Sequence, residues 1–342
     1  MEKKKKVLIV GAGGFVGGFL ADEGLRRGFD IYAGVRQSTS LKYLPKEAKT
    51  VFLTFGEPEK LAVELRAALP EGERWDYVIY NLGATKAISF TDFNTVNYEY
   101  LRCFTGALKQ AVMVPERLLY MSSLSVMGPG DEHTYAPFTE ERVPIPNTRY
   151  GTSKLKAELW LQTAGIPYII FRATGVYGPR ERDYYLMFKS IAQGFDFSVG
   201  MRRQSLTFIY VEDLARAIYD ALDLAPSDSL YLISEQRGYS QKEFRHMAKK
   251  ALGKRSVFPV RLPLWTAWVA CALIEWWNKR NPLRKGPLRP TTLNRDKYKI
   301  MRQRNWNVDV SKAQREFGFD PQVSLEEGIR RSVEWYRENN WL

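Results

Sequence analysis

The chain has 342 residues, of which 45% are hydrophobic and 26% are charged, so it can bury a substantial core without disulfides. These values exclude a disordered tail, a collagen-like repeat and a disulfide-rich mini-protein. The two cysteines, Cys103 and Cys271, lie far apart in the sequence. They predict a reducing, cytoplasmic location and exclude a zinc ribbon.

Basic residues outnumber acidic ones by 51 to 38, which gives a net charge of +13. Such a surface suits nucleic acid, an anionic membrane or a phosphorylated ligand, or is simply solvated. Part of the excess lies in two clusters, Lys3–Lys6 and the group Lys279, Arg280, Arg284, Lys285 and Arg289. Nucleic-acid binding would rest on charge alone, and we do not expect it.

The N-terminal segment has a basic patch and then an apolar run, which is also typical of a signal peptide. We reject that interpretation because Asp22 and Glu23 stand where the cleavage region would be. No run reaches the roughly 20 apolar residues that span a bilayer. The longest mostly apolar stretch is Leu264–Ile274.

Short apolar runs alternate with amphipathic stretches through the first two thirds of the chain. The predicted strands are Val7–Val10, Ile31–Val35, Val51–Phe55, Tyr77–Leu82, Leu118–Met121 and Tyr168–Phe171. The predicted helices include Phe15–Arg27, Lys60–Leu69, Asn94–Ala111 and Tyr150–Ala164. This alternation predicts an α/β fold, a doubly wound parallel sheet of the Rossmann type. Further on, Ser240 with Glu243 and Ser324 with Glu327 have the capping-box spacing and predict two helix starts.

A glycine-rich loop directly follows the first predicted strand. Gly11 allows a sharp turn, Gly14 allows the backbone to approach a pyrophosphate, and Gly17 allows the following helix to pack on the strand. The N-terminus of that helix supplies free N–H groups and a positive dipole. We therefore expect Gly11, Gly14, Phe15, Val16 and Gly17 to contact a dinucleotide.

The second predicted strand ends at Arg36, where an acidic residue usually binds the adenosine ribose of NAD. A carboxylate would repel a 2′-phosphate, whereas a guanidinium can bind one with two hydrogen bonds. The sequence therefore favours NADP over NAD, and a purely solvated Arg36 is the alternative.

Tyr150 and Lys154 are four residues apart on a predicted helix, so they share one face. For Tyr150 to act as a base near neutral pH, its pKa must fall by about 3 units from ~10. A positive charge at about 4 Å supplies energy of that size at an effective dielectric constant of 20, so Lys154 together with an oxidised nicotinamide could supply the shift. Ser123 follows the strand Leu118–Met121, where its hydroxyl can bind a substrate oxygen. These three residues are the predicted catalytic group.

With these motifs, the chain resembles the extended short-chain dehydrogenases/reductases of the NAD-dependent epimerase/dehydratase type. The resemblance covers nearly the full length. Besides the glycine loop and the catalytic group, it rests on Asn81–Ala84, Asn97, Arg172–Arg180 and Phe208–Asp213.

The resemblance implies a nicotinamide held across the strand ends, with Tyr150 as acid/base, Lys154 on the nicotinamide ribose and Ser123 on the substrate oxygen. Gly83, Ala84, Ala173 and Val176 are further expected cofactor contacts.

The resemblance also implies a division of the chain. Residues 1–178, with 205–235 returning to them, would form the dinucleotide-binding domain. Residues 179–204 and 236–342 would mainly form a smaller substrate-binding lobe. A homodimer is expected through helices Asn94–Ala111 and Tyr150–Ala164, and no metal site is expected.

Three departures from the family pattern bear on the adenine contact or on the substrate. The third predicted strand ends without the Asp that often contacts adenine. Leu124 stands where nucleotide-sugar dehydratases have the first residue of an acidic pair, and Met127 replaces a Tyr that is common in sugar epimerases. Leu124 thereby disfavours a 4,6-dehydratase. The pattern of Ser122, Ser123, Val126, Gly128 and Pro129 is more similar to the 3β-hydroxysteroid dehydrogenase-like or dihydroflavonol reductase-like branch.

The stretch Leu264–Trp277 allows three interpretations. It could lie in a membrane interface with Trp and basic residues as anchors, cover an apolar substrate pocket, or belong to the core. A helix of that length is too short to cross a bilayer.

The first functional hypothesis is an NAD(P)-dependent oxidoreductase for a secondary alcohol or ketone on a bulky, partly apolar small molecule. The second is a nucleotide-sugar epimerase with tightly bound NAD. A third is a non-catalytic dinucleotide-sensing protein, which an intact Tyr150–Lys154 pair argues against.

Overall fold

A computed structural model describes residues 4–87, 89–200, 202–280 and 295–342, without the side chains of residue 275 and residues 277–280. Lys3 and the predicted basic cluster from Lys279 to Arg289 lie outside the described side chains. In chain order the strands β1–β11 are Lys6–Val10, Asp30–Val35, Lys49–Phe52, Tyr77–Tyr80, Arg117–Ser123, Tyr168–Ala173, Gly175–Tyr177, Phe195–Val199, Phe208–Tyr210, Ser229–Ile233 and Phe258–Leu262. The α-helices α1–α12 are Phe15–Arg26, Pro58–Ala67, Phe90–Asn94, Tyr100–Gln110, Arg149–Thr163, Asp183–Ala192, Val211–Leu224, Gln241–Leu252, Leu264–Arg280, Arg295–Arg302, Ser311–Phe317 and Leu325–Glu338.

Seven of these strands form one parallel sheet in the order β3-β2-β1-β4-β5-β6-β10. The central strand β1 is buried along its whole length, since helices cover both faces of the sheet. Strand order reverses between β1 and β4, which is where doubly wound sheets bind ligands. The predicted Rossmann-type α/β fold is confirmed.

The sheet confirms the predicted strands and corrects some of their bounds. The third strand runs over Lys49–Phe52 rather than Val51–Phe55, and the fourth ends at Tyr80 rather than Leu82. The segment Phe208–Tyr210 does not join the main sheet but pairs with Gly175–Tyr177. The chain returns to the sheet through β10 instead.

The predicted single helix Asn94–Ala111 is three helical segments. A short α3 begins at a capping box made by Ser89 and Asp92, a π-helical turn covers Thr95–Glu99, and α4 continues to Gln110. Hydrophobic periodicity does not distinguish these segments, because a π-turn shifts the register by only one residue. The turn is fixed by contacts of Asn97, described below.

A third apolar cluster lies outside the main sheet. It joins α6, α8 and α12, with Phe188, Phe244 and Tyr336 among its buried residues. The two predicted capping residues both begin helices: Ser240 forms the full box with Glu243, and Ser324 accepts a hydrogen bond from the Glu327 amide. Strands β8 and β11 pair as a separate two-stranded sheet.

The apolar stretch that begins at Leu264 forms helix α9. Ala267 and Cys271 are buried, whereas Trp265, Trp268 and Leu273 are at least half exposed. The helix therefore contributes one face to the interior and presents another outward. None of the helices in the described residues is both long and apolar enough to cross a membrane.

Candidate active site

A cleft of about 1020 Å³ opens at the carboxyl ends of the sheet strands. It begins at the glycine loop, passes the end of β5 and extends to residues of α6, α8 and α10. Eleven of the thirteen predicted site residues line it, namely Gly11, Gly14, Phe15, Val16, Arg36, Gly83, Ser123, Tyr150, Lys154, Ala173 and Val176. The sequence motifs thus meet in one place.

Two predicted cofactor residues do not line the cleft. A side-chain carbon at Gly17 would lie 2.5 Å from the carbonyl oxygens of Gly11 and Ala12, so this glycine serves the packing of α1 on the loop. Ala84 is bound through its backbone to the Asn97 side chain. Both residues therefore contribute to the packing around the cleft rather than to its lining.

The glycine loop has the geometry that a dinucleotide requires. Gly11 has a φ of +87°, and a side-chain carbon there would lie 2.9 Å from the backbone nitrogen of Leu82. Gly14 occupies the N-cap of α1 in an extended conformation, so no side chain covers the first amides of the helix. These amides and the helix dipole suit a pyrophosphate. The residues present therefore fit a dinucleotide.

The adenosine end of the cleft contains Arg36, Thr39 and Phe55. The Arg36 amide donates to the Thr39 hydroxyl at 3.2 Å, which shapes the loop after β2. The Thr54 amide and hydroxyl bind the Glu64 carboxylate at 2.6 and 2.7 Å. Sequence reasoning missed Phe55, whose ring stacks on Tyr100 with centroids 5.4 Å apart.

The predicted catalytic group is assembled from two elements. Ser123 ends β5 and accepts a hydrogen bond from the Ser125 amide at 3.2 Å. Tyr150 lies in the first turn of α5, which Thr148 caps by accepting from the Gly151 amide at 3.0 Å. A hydrogen bond with Ser123 acts to lower the pKa of the Tyr150 phenol. The two hydroxyls therefore face one reacting position.

Lys154 is almost completely buried, one turn after Tyr150. Its Nζ donates to the Met121 carbonyl oxygen at 2.7 Å and lies 4.8 Å from the centre of the Tyr120 ring. A side-chain carbon at Gly83 would lie only 2.9 Å from this nitrogen, so glycine leaves room for the ammonium. Burial lowers the pKa of Lys154 to about 8, although Glu158 acts to raise it.

The expected depression of the Tyr150 pKa is absent from the protein alone. Burial raises the pKa of this phenol to about 12, and the hydrogen bond with Ser123 only reduces the effect. The sequence argument required the charge of an oxidised nicotinamide besides that of Lys154, whose ammonium is held by the Met121 carbonyl in the structure. Desolvation therefore outweighs the influence of Lys154.

Asn97 connects the catalytic helix α5 to the segment that follows β4. Its Oδ1 accepts from the Ala84 amide at 2.8 Å, and its Nδ2 donates to the Ala84 carbonyl at 3.2 Å and the Ser153 hydroxyl at 2.9 Å. Ser153 in turn donates to the Tyr150 carbonyl at 2.8 Å. The π-helical turn places the fully buried Asn97 where it can make all these bonds.

A buried ion pair lies beneath the end of β5. Arg172 and Glu158 approach to 2.7 Å with almost no exposed surface, and the Ser122 hydroxyl also binds the Glu158 carboxylate. This pair fixes α5 against β5 and β6, and thereby the distance between Ser123 and Tyr150. The sequence analysis used Arg172 only as part of a motif.

The far end of the cleft is lined by residues that sequence reasoning did not single out. These are mainly Glu181, Asp183, Tyr184, Met187, Phe197, Gln204, Leu206, Phe244, Arg245, Lys297, Met301 and Trp306. The basic residues Arg202 and Arg203 are exposed and do not line the cleft. In the described part of the chain, no group of His, Cys, Asp and Glu residues could hold a metal ion.

A comparison with protein families matches residues 7–233 to the NAD dependent epimerase/dehydratase family. The chain belongs to this family. The predicted resemblance is thereby confirmed, and so is the prediction of an enzyme that uses a nicotinamide dinucleotide.

Among the relatives of this epimerase/dehydratase, a probable UDP-glucuronate 4-epimerase of Rhizobium meliloti is 25% identical over 98% of the chain and 97% of that protein. A dTDP-glucose 4,6-dehydratase of Escherichia coli is 28% identical over 60% of the chain and 52% of that protein. The predicted steroid-like or flavonol-like branch is not confirmed by these proteins.

Solved structures agree on the fold. The UDP-glucose 4-epimerase of Thermotoga maritima superposes with a TM-score of 0.77 at 19% identity, covering 98% of this chain and 99% of that one. The UDP-glucuronic acid 4-epimerase of Bacillus cereus, solved with NAD, gives a TM-score of 0.74, 19% identity and coverage of 98% and 99%.

Proposed function

We propose that this enzyme is a nucleotide-sugar epimerase that inverts a secondary carbinol carbon, with NAD as its cofactor. The proposal is carried by the convergence of Ser123, Tyr150 and Lys154 on a cleft that begins at a dinucleotide loop. Family membership and relatives named as 4-epimerases support it. This was the second of the sequence-based hypotheses.

A nicotinamide held by the glycine loop and Lys154 would supply the acceptor and donor of the hydride that leaves and rejoins the carbinol carbon. Tyr150 accepts the hydroxyl proton as the C–H bond breaks and gives it back when the bond forms again. Ser123 donates a hydrogen bond to the same oxygen in both directions. Because proton and hydride both return, the sugar shows no net oxidation.

Lys154 has two roles in this mechanism: it binds the cofactor, and it adds positive charge near Tyr150. Its ammonium faces the backbone of β5 beside Gly83, where the resemblance implies the nicotinamide ribose. Since burial raises the Tyr150 pKa in the protein alone, proton removal requires positive charge that Lys154 does not supply by itself. An oxidised nicotinamide carries such a charge.

The residue after Ser123 disfavours a dehydratase. Elimination of water requires an acid to protonate the leaving hydroxyl, and Leu124 is apolar and buried. We therefore expect inversion without loss of water.

The preference for NAD or NADP depends on whether Arg36 binds a 2′-phosphate. The family name favours NAD, whereas the absence of an acidic residue after β2 predicts NADP. We propose NAD, and a titration of the nucleotide-free protein with both cofactors tests it. Tighter NADP binding that Arg36→Ala abolishes would instead support the original sequence prediction.

The decisive experiment incubates the purified protein with UDP-glucose, UDP-glucuronate or dTDP-glucose and follows the sugar by NMR. We expect conversion to the C4 epimer without net formation of NADH. Tyr150→Phe is the inactive control. A product that has lost water, or no change with any of the sugars, would contradict the proposal.

The alcohol or ketone oxidoreductase remains a second candidate because much of the far cleft is apolar. Met187, Leu206, Phe244 and Trp306 all line it. Steady oxidation of NADPH or NADH in the presence of a bulky ketone, with no epimerisation of any sugar, would favour this function.

A further inference from the structure

Helix α9 carries an exposed apolar face that the proposed function does not use. Trp265, Trp268 and Leu273 are 66%, 50% and 59% exposed, and Val269 lies between them. Their spacing of three, four and eight residues places them on one side of the helix. Ala267 and Cys271, on the other side, are buried. We call the exposed side the tryptophan face.

The strand that precedes the helix in sequence, with its partner, carries further exposed apolar residues. Strand β11 ends at Leu262, two residues before α9 begins, and its Phe258 is 67% exposed. Phe258 pairs with Phe195 of β8, so their side chains point to the same side of this small sheet. Phe195 and Phe197 are also exposed, with ring centroids 6.1 Å apart.

The described residues beside this surface are positively charged. Residues 251–262 include three basic residues and no acidic one. Lys254 and Arg255, which precede β11, and Arg261, within it, are all exposed. The nearby carboxylate of Asp196 is buried and paired with Lys249 at 2.8 Å and Arg245 at 3.3 Å. This carboxylate therefore does little to offset the surrounding positive charge.

We infer that the tryptophan face, with the exposed ends of β8 and β11, docks on an anionic lipid bilayer. Exposed Trp side chains beside Lys and Arg suit the headgroup region, where the ring is half buried and the cations meet lipid phosphates. A second copy of the chain would bring two strongly positive surfaces together, which charge repulsion opposes. An anionic bilayer is complementary both to the exposed Trp side chains and to the positive charge.

Docking in this way has a consequence for the cleft. Phe197 belongs both to the exposed strand β8 and to the lining of the cleft, and α10, which packs on α9, also lines it. The cleft would therefore lie near the membrane surface. The inference stands apart from the proposed chemistry, because it concerns where the enzyme sits rather than what it converts.

Vesicle flotation tests the inference with the full-length chain. We use vesicles of phosphatidylcholine alone and vesicles containing 30% phosphatidylglycerol, at low and high salt. We expect at least about tenfold stronger binding to the anionic vesicles, weakened by salt. We also expect the tryptophan fluorescence to shift to shorter wavelength on binding.

The variant Trp265→Ser/Trp268→Ser removes the two most N-terminal anchors of the face and should lose vesicle binding. The matched control is Leu224→Ser, an equally exposed apolar residue at the end of α7. Circular dichroism and epimerase assays on soluble sugars show whether each variant is folded, since neither change touches the cleft lining.

Three results would overturn the inference. The wild-type protein could fail to bind either vesicle, the double variant could bind as well as the wild type, or the wild type could form a dimer that the double variant does not form. In the last case, a second copy rather than a bilayer covers the tryptophan face.

Discussion

At the residue scale, the environment of Tyr150 disfavours the ionised phenol that a general base requires. Burial raises the pKa of the phenol to about 12, and the nearest ammonium, on Lys154, is engaged with the Met121 carbonyl. In the protein alone, this phenol therefore stays protonated at neutral pH. In the proposed mechanism, it becomes a base when a positive charge enters the cleft with the cofactor.

The first prediction concerns this phenol. Tyr150→Phe removes the proton acceptor and leaves the ring, which lies 6.0 Å from Phe93, in place. We expect kcat to fall by a factor of about 10² to 10⁴ with little change in stability. Tyr135→Phe, which removes an exposed hydroxyl, is the control. Turnover that survives in Tyr150→Phe would refute the role of the phenol.

The second prediction concerns the effect of Lys154 on the pH dependence of the free energy of unfolding. Its pKa falls from 10.5 to about 8 on burial, so between these values the unfolded chain holds a proton that the folded chain has released. The free energy of unfolding therefore rises with pH through this window. Below pH 8 the buried charge costs up to about 3 kcal/mol.

The variant Lys154→Met tests this sign. In protein freed of nucleotide, we expect it to be more stable than the wild type at pH 7 and to lose the advantage as the pH approaches 10. Denaturant unfolding across that range measures the difference. Lys156→Met, at an exposed position of the same helix, should change stability by less than about 0.5 kcal/mol at every pH.

At the scale of elements, the π-helical turn at Thr95–Glu99 links two sides of the site. From within this turn, Asn97 bonds to both Ala84 and Ser153. Such turns store strain that surrounding contacts must offset. The three hydrogen bonds of the buried amide provide that compensation.

The third prediction follows from this link. Asn97→Ala leaves the Ala84 amide and carbonyl without their partner, and we expect a loss of about 2–4 kcal/mol in the free energy of unfolding. Because Ser153 also loses a partner, kcat should fall as well. Asn94→Ala, one turn earlier and only partly buried, should cost less than about 1 kcal/mol. Equal losses in the two variants would show that Asn97 has no special structural role.

Sequence patterns predicted most strands of the parallel sheet and the residues of the catalytic group. The strand before the glycine loop and the helix after it were predicted within one residue, because apolar runs and glycines are local signals. The strands β8 and β11 were missed since they are short and largely exposed. The π-turn and the far cleft were missed because tertiary contacts create them.

At the scale of the whole molecule, the C-terminal part of the chain is tied into the sheet. Helix α11 packs on β10, and the Phe317 ring stacks on Phe171 of β6 with centroids 5.8 Å apart. Phe317 also makes an edge contact with Tyr231 at 5.0 Å. The division into a dinucleotide domain and a substrate lobe stays a prediction, and so does the homodimer. These contacts imply that the parts unfold together.

The last prediction tests that coupling. Phe317→Ala opens a cavity between α11 and the sheet, and we expect a loss of about 3–5 kcal/mol in the free energy of unfolding. Phe258→Ala, at an exposed ring, is the matched control and should cost little. Calorimetry should show one transition that moves to lower temperature as a unit. A variant in which only part of the heat absorption shifts would mean that the C-terminal part folds independently, and the cleft would then join two separately stable bodies.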